Sequence, residues 1–95
     1  MARTTGTSSV KDLLRRGVLQ EGERLVIRRR SAPPIDGTAE STGKIRVGPN
    51  TYETPSAAAK AALGVPAADG WIRWRVPRLG DRTLAELRAA VEQER

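Results

Sequence analysis

The stretch TPSAAAKAALG, residues 54–64, constrains the fold more than any other part of the chain. Thr54 is a natural N-cap, because its hydroxyl can accept from backbone N–H groups that a first helical turn leaves unpaired. Pro55 suits the first helical position, where its missing N–H costs nothing. Alanines carry the helix on to Leu63 at low conformational cost, and Gly64 supplies the residue that commonly ends one. The spacing therefore predicts a helix over 55–63, and its alanine faces let it sit close to a sheet.

The segments before that helix read as the sheet. Glu21-Gly22-Glu23 is a turn, Leu25-Val26-Ile27 a strand core, and Arg28, Arg29 and Arg30 sit on or just beyond its end. Pro33 and Pro34 break a strand, and Asp36-Gly37 reads as a turn, so a weak strand is expected near 38–42. Lys44-Ile45-Arg46-Val47 alternates cleanly, with Ile45 and Val47 inward. Gly48-Pro49-Asn50 then turns the chain into a short strand, Thr51-Tyr52-Glu53. Together these form a meander of small antiparallel strands.

The flanks complete the outline. Residues 1–8 read as a disordered tail. A capping box, Ser9-Val10-Lys11-Asp12, opens a short helix over about 10–16 that Gly17 ends. Residues 71–76 form a strand that Pro77 stops. Thr83-Leu84-Ala85-Glu86 is a second capping box, and Leu84, Leu87 and Val91 share one face of a last helix. The expectation is an α+β fold, a single domain over 9–95. It has a small antiparallel sheet of about four to five strands with about three helices, in the order α-β-β-β-β-α-β-α.

Residue types narrow the chemistry. The chain has 95 residues, enough for one compact domain. No run approaches the length of a membrane span, and the N-terminal stretch lacks the apolar core of a secretory signal. Cysteine is absent, which removes disulfides and thiolate metal sites, and a reducing cytoplasm is the default. Histidine is absent too, which removes the commonest general base and the commonest metal ligand. Ser8, Ser9 and Ser56 thus lack a histidine partner, and Glu21 and Glu23 sit in a turn with nothing to pair them for acid–base work. No phosphate-cradling glycine loop is present. The chain reads as a binding module without cofactor or metal rather than an enzyme.

Charge says what it would bind. Residues 1–78 hold 14 basic and 7 acidic side chains, whereas residues 79–95 hold 3 and 4, so the net charge of +6 resides in the body. A basic domain points first to a polyanion, most often nucleic acid, although net charge also serves solubility.

Both tryptophans lie in DGWIRWRV, residues 69–76. In a strand, Trp71 shares a face with Arg73 and Arg75, and Trp74 shares the other with Ile72 and Val76. Trp74 is then core in a protein without phenylalanine. Trp71 beside guanidinium groups makes a surface that stacks on bases and neutralises phosphates, or else packs under a loop beside solvated arginines. The first turn of helix 55–63, with the Ser56 hydroxyl and Lys60 one turn on, offers a phosphate site or an ordinary capped helix. Arg28, Arg29 and Arg30, with Lys44 and Arg46, offer phosphate contacts or a solvated sheet edge.

The combined pattern resembles the RAMA domain, the restriction-enzyme adenine-methylase-associated module. The matching segments are residues 10–25, 43–64, 69–76 and 84–88, and the most specific are the aromatic-x-Thr-Pro-Ser-Ala-Ala-Ala run and the Gly-Trp-x-x-Trp run that follows it. The resemblance implies DNA binding, sensitive to N6-methylation of adenine and linked to modification or restriction. It assigns roles to Tyr52, Thr54, Ser56, Trp71 and Trp74. The resulting expectation is a small DNA-binding module of the cytoplasm, associated with the nucleoid, acting on double-stranded DNA. The alternative is an adaptor that binds a protein partner through the aromatic strand face.

Overall fold

A computed structural model of the chain describes residues 9–93. The tail expected over 1–8 lies outside the described residues. The elements are α1 (Val10–Arg15), β1 (Glu23–Ile27), β2 (Ile35–Ala39), β3 (Ile45–Val47), β4 (Asn50–Tyr52), α2 (Pro55–Leu63), α3 (Gly70–Arg73), β5 (Trp74–Val76), a 3₁₀ turn (Pro77–Leu79), β6 (Arg82–Thr83) and α4 (Leu84–Gln93). The fold is α+β. Its strands form one antiparallel six-stranded sheet in the order β4-β3-β2-β1-β5-β6.

Capping chemistry sets the helix boundaries. Asp12 N–H donates to Ser9 Oγ at 3.2 Å while Ser9 N–H donates to the Asp12 carboxylate at 3.0 Å, a complete capping box for α1. Thr83 and Glu86 repeat the arrangement at α4, at 2.8 and 3.1 Å. Thr54 Oγ1 accepts from Ala57 N–H at 3.1 Å, and Gly64 ends α2 at φ 68°, in the left-handed region that glycine adopts freely.

One sheet face carries the core. Leu25, Ile27, Ala39, Ile45, Trp74 and Val76 meet Val10 and Leu13 of α1, Ala58 and Ala59 of α2, and Leu84, Leu87 and Val91 of α4. The opposite face is polar. Arg24, Thr38, Arg46 and Thr51 stand side by side across β1 to β4, and Asp36 and Arg75 flank Val26 in the next row. Val26 is fully buried there, outside the core cluster.

Two expectations are corrected. The Asp36-Gly37 pair is not a turn: β2 starts at Ile35, straight after Pro34, so both residues lie in a strand. Proline is tolerated at the mouth of a strand, where its missing donor leaves no ladder bond unmade. Glycine at 37 answers a packing demand, because a Cβ there would stand 2.9 Å from Cη2 of the Trp74 ring. Residues 71–76 are not one strand either. Asp69 Oδ1 accepts from Trp71 N–H at 3.0 Å and caps a single helical turn, α3, so that only Trp74–Val76 is extended. Ile72, expected inward, is exposed as a result. The two-residue strand β6 adds to the expected strand count because it is too short to leave a periodic signature.

An ion pair fastens the 3₁₀ turn to β1. The Glu23 side chain is only 5% exposed, and Arg78 donates to its carboxylate three times, at 2.7–3.1 Å. Gln20 N–H donates to the same carboxylate, and Arg78 reaches on to the Val18 carbonyl. The Arg78 hydrogen bonds hold the Glu23 carboxyl below its ordinary range, against burial, which pushes it up. Since the folded value is the lower one, the unfolded chain takes up the proton first as acid is added. The pair's stabilisation is complete above the usual glutamate value of about 4.3 and drains as pH falls below it. Glu23→Gln is expected to cost roughly 1–2 kcal/mol at neutral pH, allowing for the exposure of Arg78. It should also flatten part of the acid limb in denaturant titrations run at several pH values. Asp12 and Asp81, also held low by their hydrogen bonds, add to that limb.

Candidate nucleic-acid interface

The start of α2 and the segment 69–74 form one joint. Ser56 Oγ accepts from Gly70 N–H at 2.9 Å. The buried Trp74 indole N–H donates to the Pro55 carbonyl at 3.0 Å. Gly70 lies so close that a Cβ on it would overlap the Pro55 carbonyl and crowd the Ser56 nitrogen. The opening of α2 therefore faces the protein's own backbone. The Ser56 hydroxyl, expected at a phosphate, is engaged within the fold. Lys60 is exposed further along α2.

Trp71 lies at the edge of that joint. It is half-buried, and the Arg88 guanidinium of α4 lies over its ring at 4.0 Å from the centroid. Its expected neighbours, Arg73 and Arg75, are elsewhere, because the helical turn rotates Trp71 off the strand face. Trp71 instead lines a cleft of about 230 Å³. That cleft brings together Lys11 of α1, Lys44 at the start of β3, and the hydroxyl residues Ser9, Thr42 and Thr54. Glu53 stands in the same cleft and pairs with Lys44 at 3.3 Å. Lys11 also lines an adjoining cleft with Arg15.

The remaining candidates are dispersed. Asp81 grips Arg28 with both carboxylate oxygens, at 2.5 and 2.9 Å, and that contact holds the Asp81 carboxyl below its usual range. Arg75 donates to the Asp81 carbonyl, and Arg46 pairs with Glu40 at 3.3 Å. Arg29 donates twice to the Pro33 carbonyl and shares with Arg73 a groove of about 420 Å³ on the other side of α3 from Trp71. Arg30 is exposed, and Tyr52 is half-buried against the core. The structure thus unites Lys44, Thr54 and Trp71, and separately Arg29 and Arg73. It does not unite Trp71 with the arginines of its own segment. The aromatic strand face expected for an adaptor, Trp71 beside Arg73 and Arg75, does not form, since Trp71 lies in the helical turn α3 and not on a strand. Lys11 and Arg88 lie in segments that carry the resemblance, residues 10–25 and 84–88, but nothing in their local pattern marks either as a contact residue.

A family description, Restriction Enzyme Adenine Methylase Associated, abbreviated RAMA, matches residues 1–95. The chain belongs to the RAMA family. No curated protein matches it.

In this RAMA chain the two most recognisable segments, Tyr52–Ala59 and Gly70–Trp74, are the two sides of the joint described above. Their pairing explains the residue types on physical grounds. Serine at 56 supplies an acceptor for Gly70, glycine at 70 allows the approach, and tryptophan at 74 both fills the core and donates to α2. Thr54 caps the helix, and Trp71 and Thr54 leave the joint at the edge of the smaller cleft.

Proposed function

We propose that this RAMA chain is a DNA-binding module of a modification or restriction system, and that the cleft of Trp71, Lys11 and Lys44 is its contact with a nucleotide. The observation that carries the reading is the juxtaposition of an indole, two lysines and three hydroxyl residues drawn from four separate segments. The net charge of +6 suits a polyanion. Arg88 fixes the indole from one face, leaving the rest of the ring to meet a base or sugar. Lys11 and Lys44 neutralise phosphate, and a phosphate arriving at Lys44 displaces the exposed Glu53 carboxylate. At about 230 Å³ the cleft is smaller than the ~300–1,000 Å³ typical of whole-ligand pockets and suits a single ring or group. An N6-methyl on adenine adds apolar area that an indole edge can cover and weakens the base's pairing, which is how methylation is sensed. The chain binds and does not catalyse, and needs no cofactor for this.

Titration of matched duplexes with and without N6-methyladenine, at about 50 and 200 mM salt, tests the reading. Affinity should fall steeply with salt and differ between the duplexes. Trp71→Ala should weaken binding by about tenfold, within the ~1–3 kcal/mol of a base–aromatic contact. Lys44→Ala should lower the salt slope by about one. Binding that ignores both salt and Trp71→Ala sinks the proposal.

A further inference from the structure

We infer that the groove between the end of α2 and α3 docks an acidic, apolar segment of a partner protein. Two large apolar side chains are exposed among the described residues, Val65 at 39% and Ile72 at 56%, and both line this one groove of about 420 Å³. Ile72 is outside because residues 70–73 turn helical, and its exposure gains nothing within the chain. Half-buried Leu63 and Ala68 continue the apolar surface inward. Contiguous apolar surface rimmed by polar groups marks a protein contact.

The rim selects the partner's charge. Arg29 and Arg73 border the groove, and neither meets a carboxylate among the described residues, whereas Arg24, Arg28, Arg46 and Arg78 each do. Arg29 is steadied by the neutral Pro33 carbonyl rather than by a carboxylate. Asp69, the acidic residue of the lining, is turned to the Trp71 N–H as a cap. The groove holds no aromatic ring for a base to stack on, and isoleucine and valine offer nothing to phosphate. Leucine-type side chains flanked by Asp or Glu complement it, as on one face of an amphipathic helix.

The probe is a synthetic helical peptide with leucines on one face and glutamates beside them, followed by fluorescence anisotropy on the whole chain. Saturable binding at micromolar concentration is expected, weakened at least about tenfold by Ile72→Glu and by the double variant Arg29→Glu/Arg73→Glu. Replacing the peptide's glutamates with lysines should weaken it as much, and Trp71→Ala should leave it unchanged. Both protein variants alter exposed side chains, and thermal melts verify that they fold; Val65→Glu is the second apolar variant. Equal affinity in Ile72→Glu and Val65→Glu, or for the lysine peptide, overturns the inference. So does self-association of the chain through Ile72, which assigns the groove to a second copy. Loss of duplex binding without loss of peptide binding in the arginine variant assigns it to nucleic acid instead.

Discussion

Trp74→Ala is expected to melt about 20 °C or more below the parent, giving up a large share of the domain's stability. The Trp74 side chain is 0% exposed and is the largest fully buried one in the fold. It bridges the sheet, where the missing Cβ of Gly37 admits its ring, and α2, where its N–H meets the Pro55 carbonyl. Truncating a buried tryptophan costs about 3–5 kcal/mol through lost transfer and the cavity left behind. A domain of this size has roughly 5–15 kcal/mol in total. Trp74→Phe keeps most of the ring volume and loses the indole donor, so its loss should be well under half as large. Trp71→Ala gives up the Arg88 contact and the packing of a half-buried ring, and should lose clearly less than Trp74→Ala. Thermal unfolding followed by circular dichroism orders the three variants, and a Trp74→Ala melt within a few degrees of the parent contradicts the packing.

Gly70→Ala should destabilise by about 3 kcal/mol or more, a large effect for one added methyl. Space, not backbone conformation, is the cause, because the new Cβ would run into the Pro55 carbonyl and the Ser56 nitrogen. Relief requires the starts of α2 and α3 to separate, which stretches both the Gly70–Ser56 and the Trp74–Pro55 hydrogen bonds. Gly64→Ala is the control. That position has φ 68° with nothing near its missing Cβ, so it costs only the left-handed strain, about 1 kcal/mol. Urea denaturation of the two variants separates the causes. Equal losses would mean that the joint yields easily, and the close approach would then have no structural role.

Much of the secondary structure was legible because its signals are local. Thr54, Pro55 and Gly64 bracketed α2 at its observed ends, and the Thr83–Glu86 box marked α4 one residue before its start. Alternation placed Ile45 inward, and the lack of phenylalanine pointed to Trp74 as core. The site was legible only in part. Lys44, Thr54 and Trp71 were candidates for DNA contact, yet nothing in their spacing puts them in one cleft with Lys11, or sets Arg88 on the indole. Arg28, Arg29 and Arg30 look equivalent in the chain. Among the described residues, only Arg28 of the three meets a carboxylate, that of Asp81, 53 residues away.

Caps, turns and hydrophobic alternation act over a few residues, and net charge is a sum over all of them, so order of elements, fold class and a basic character followed from the amino acids themselves. Which glycines are tight, which cations are neutralised and which way Trp71 faces depend on pairs far apart in the chain. Gly37 and Asp36 read as a turn until the Trp74 ring lies over the glycine, and residues 71–73 read as a strand until Gly70 seats on Pro55. Packing energy of that kind exceeds local propensity, and it exists only once the chain has closed on itself.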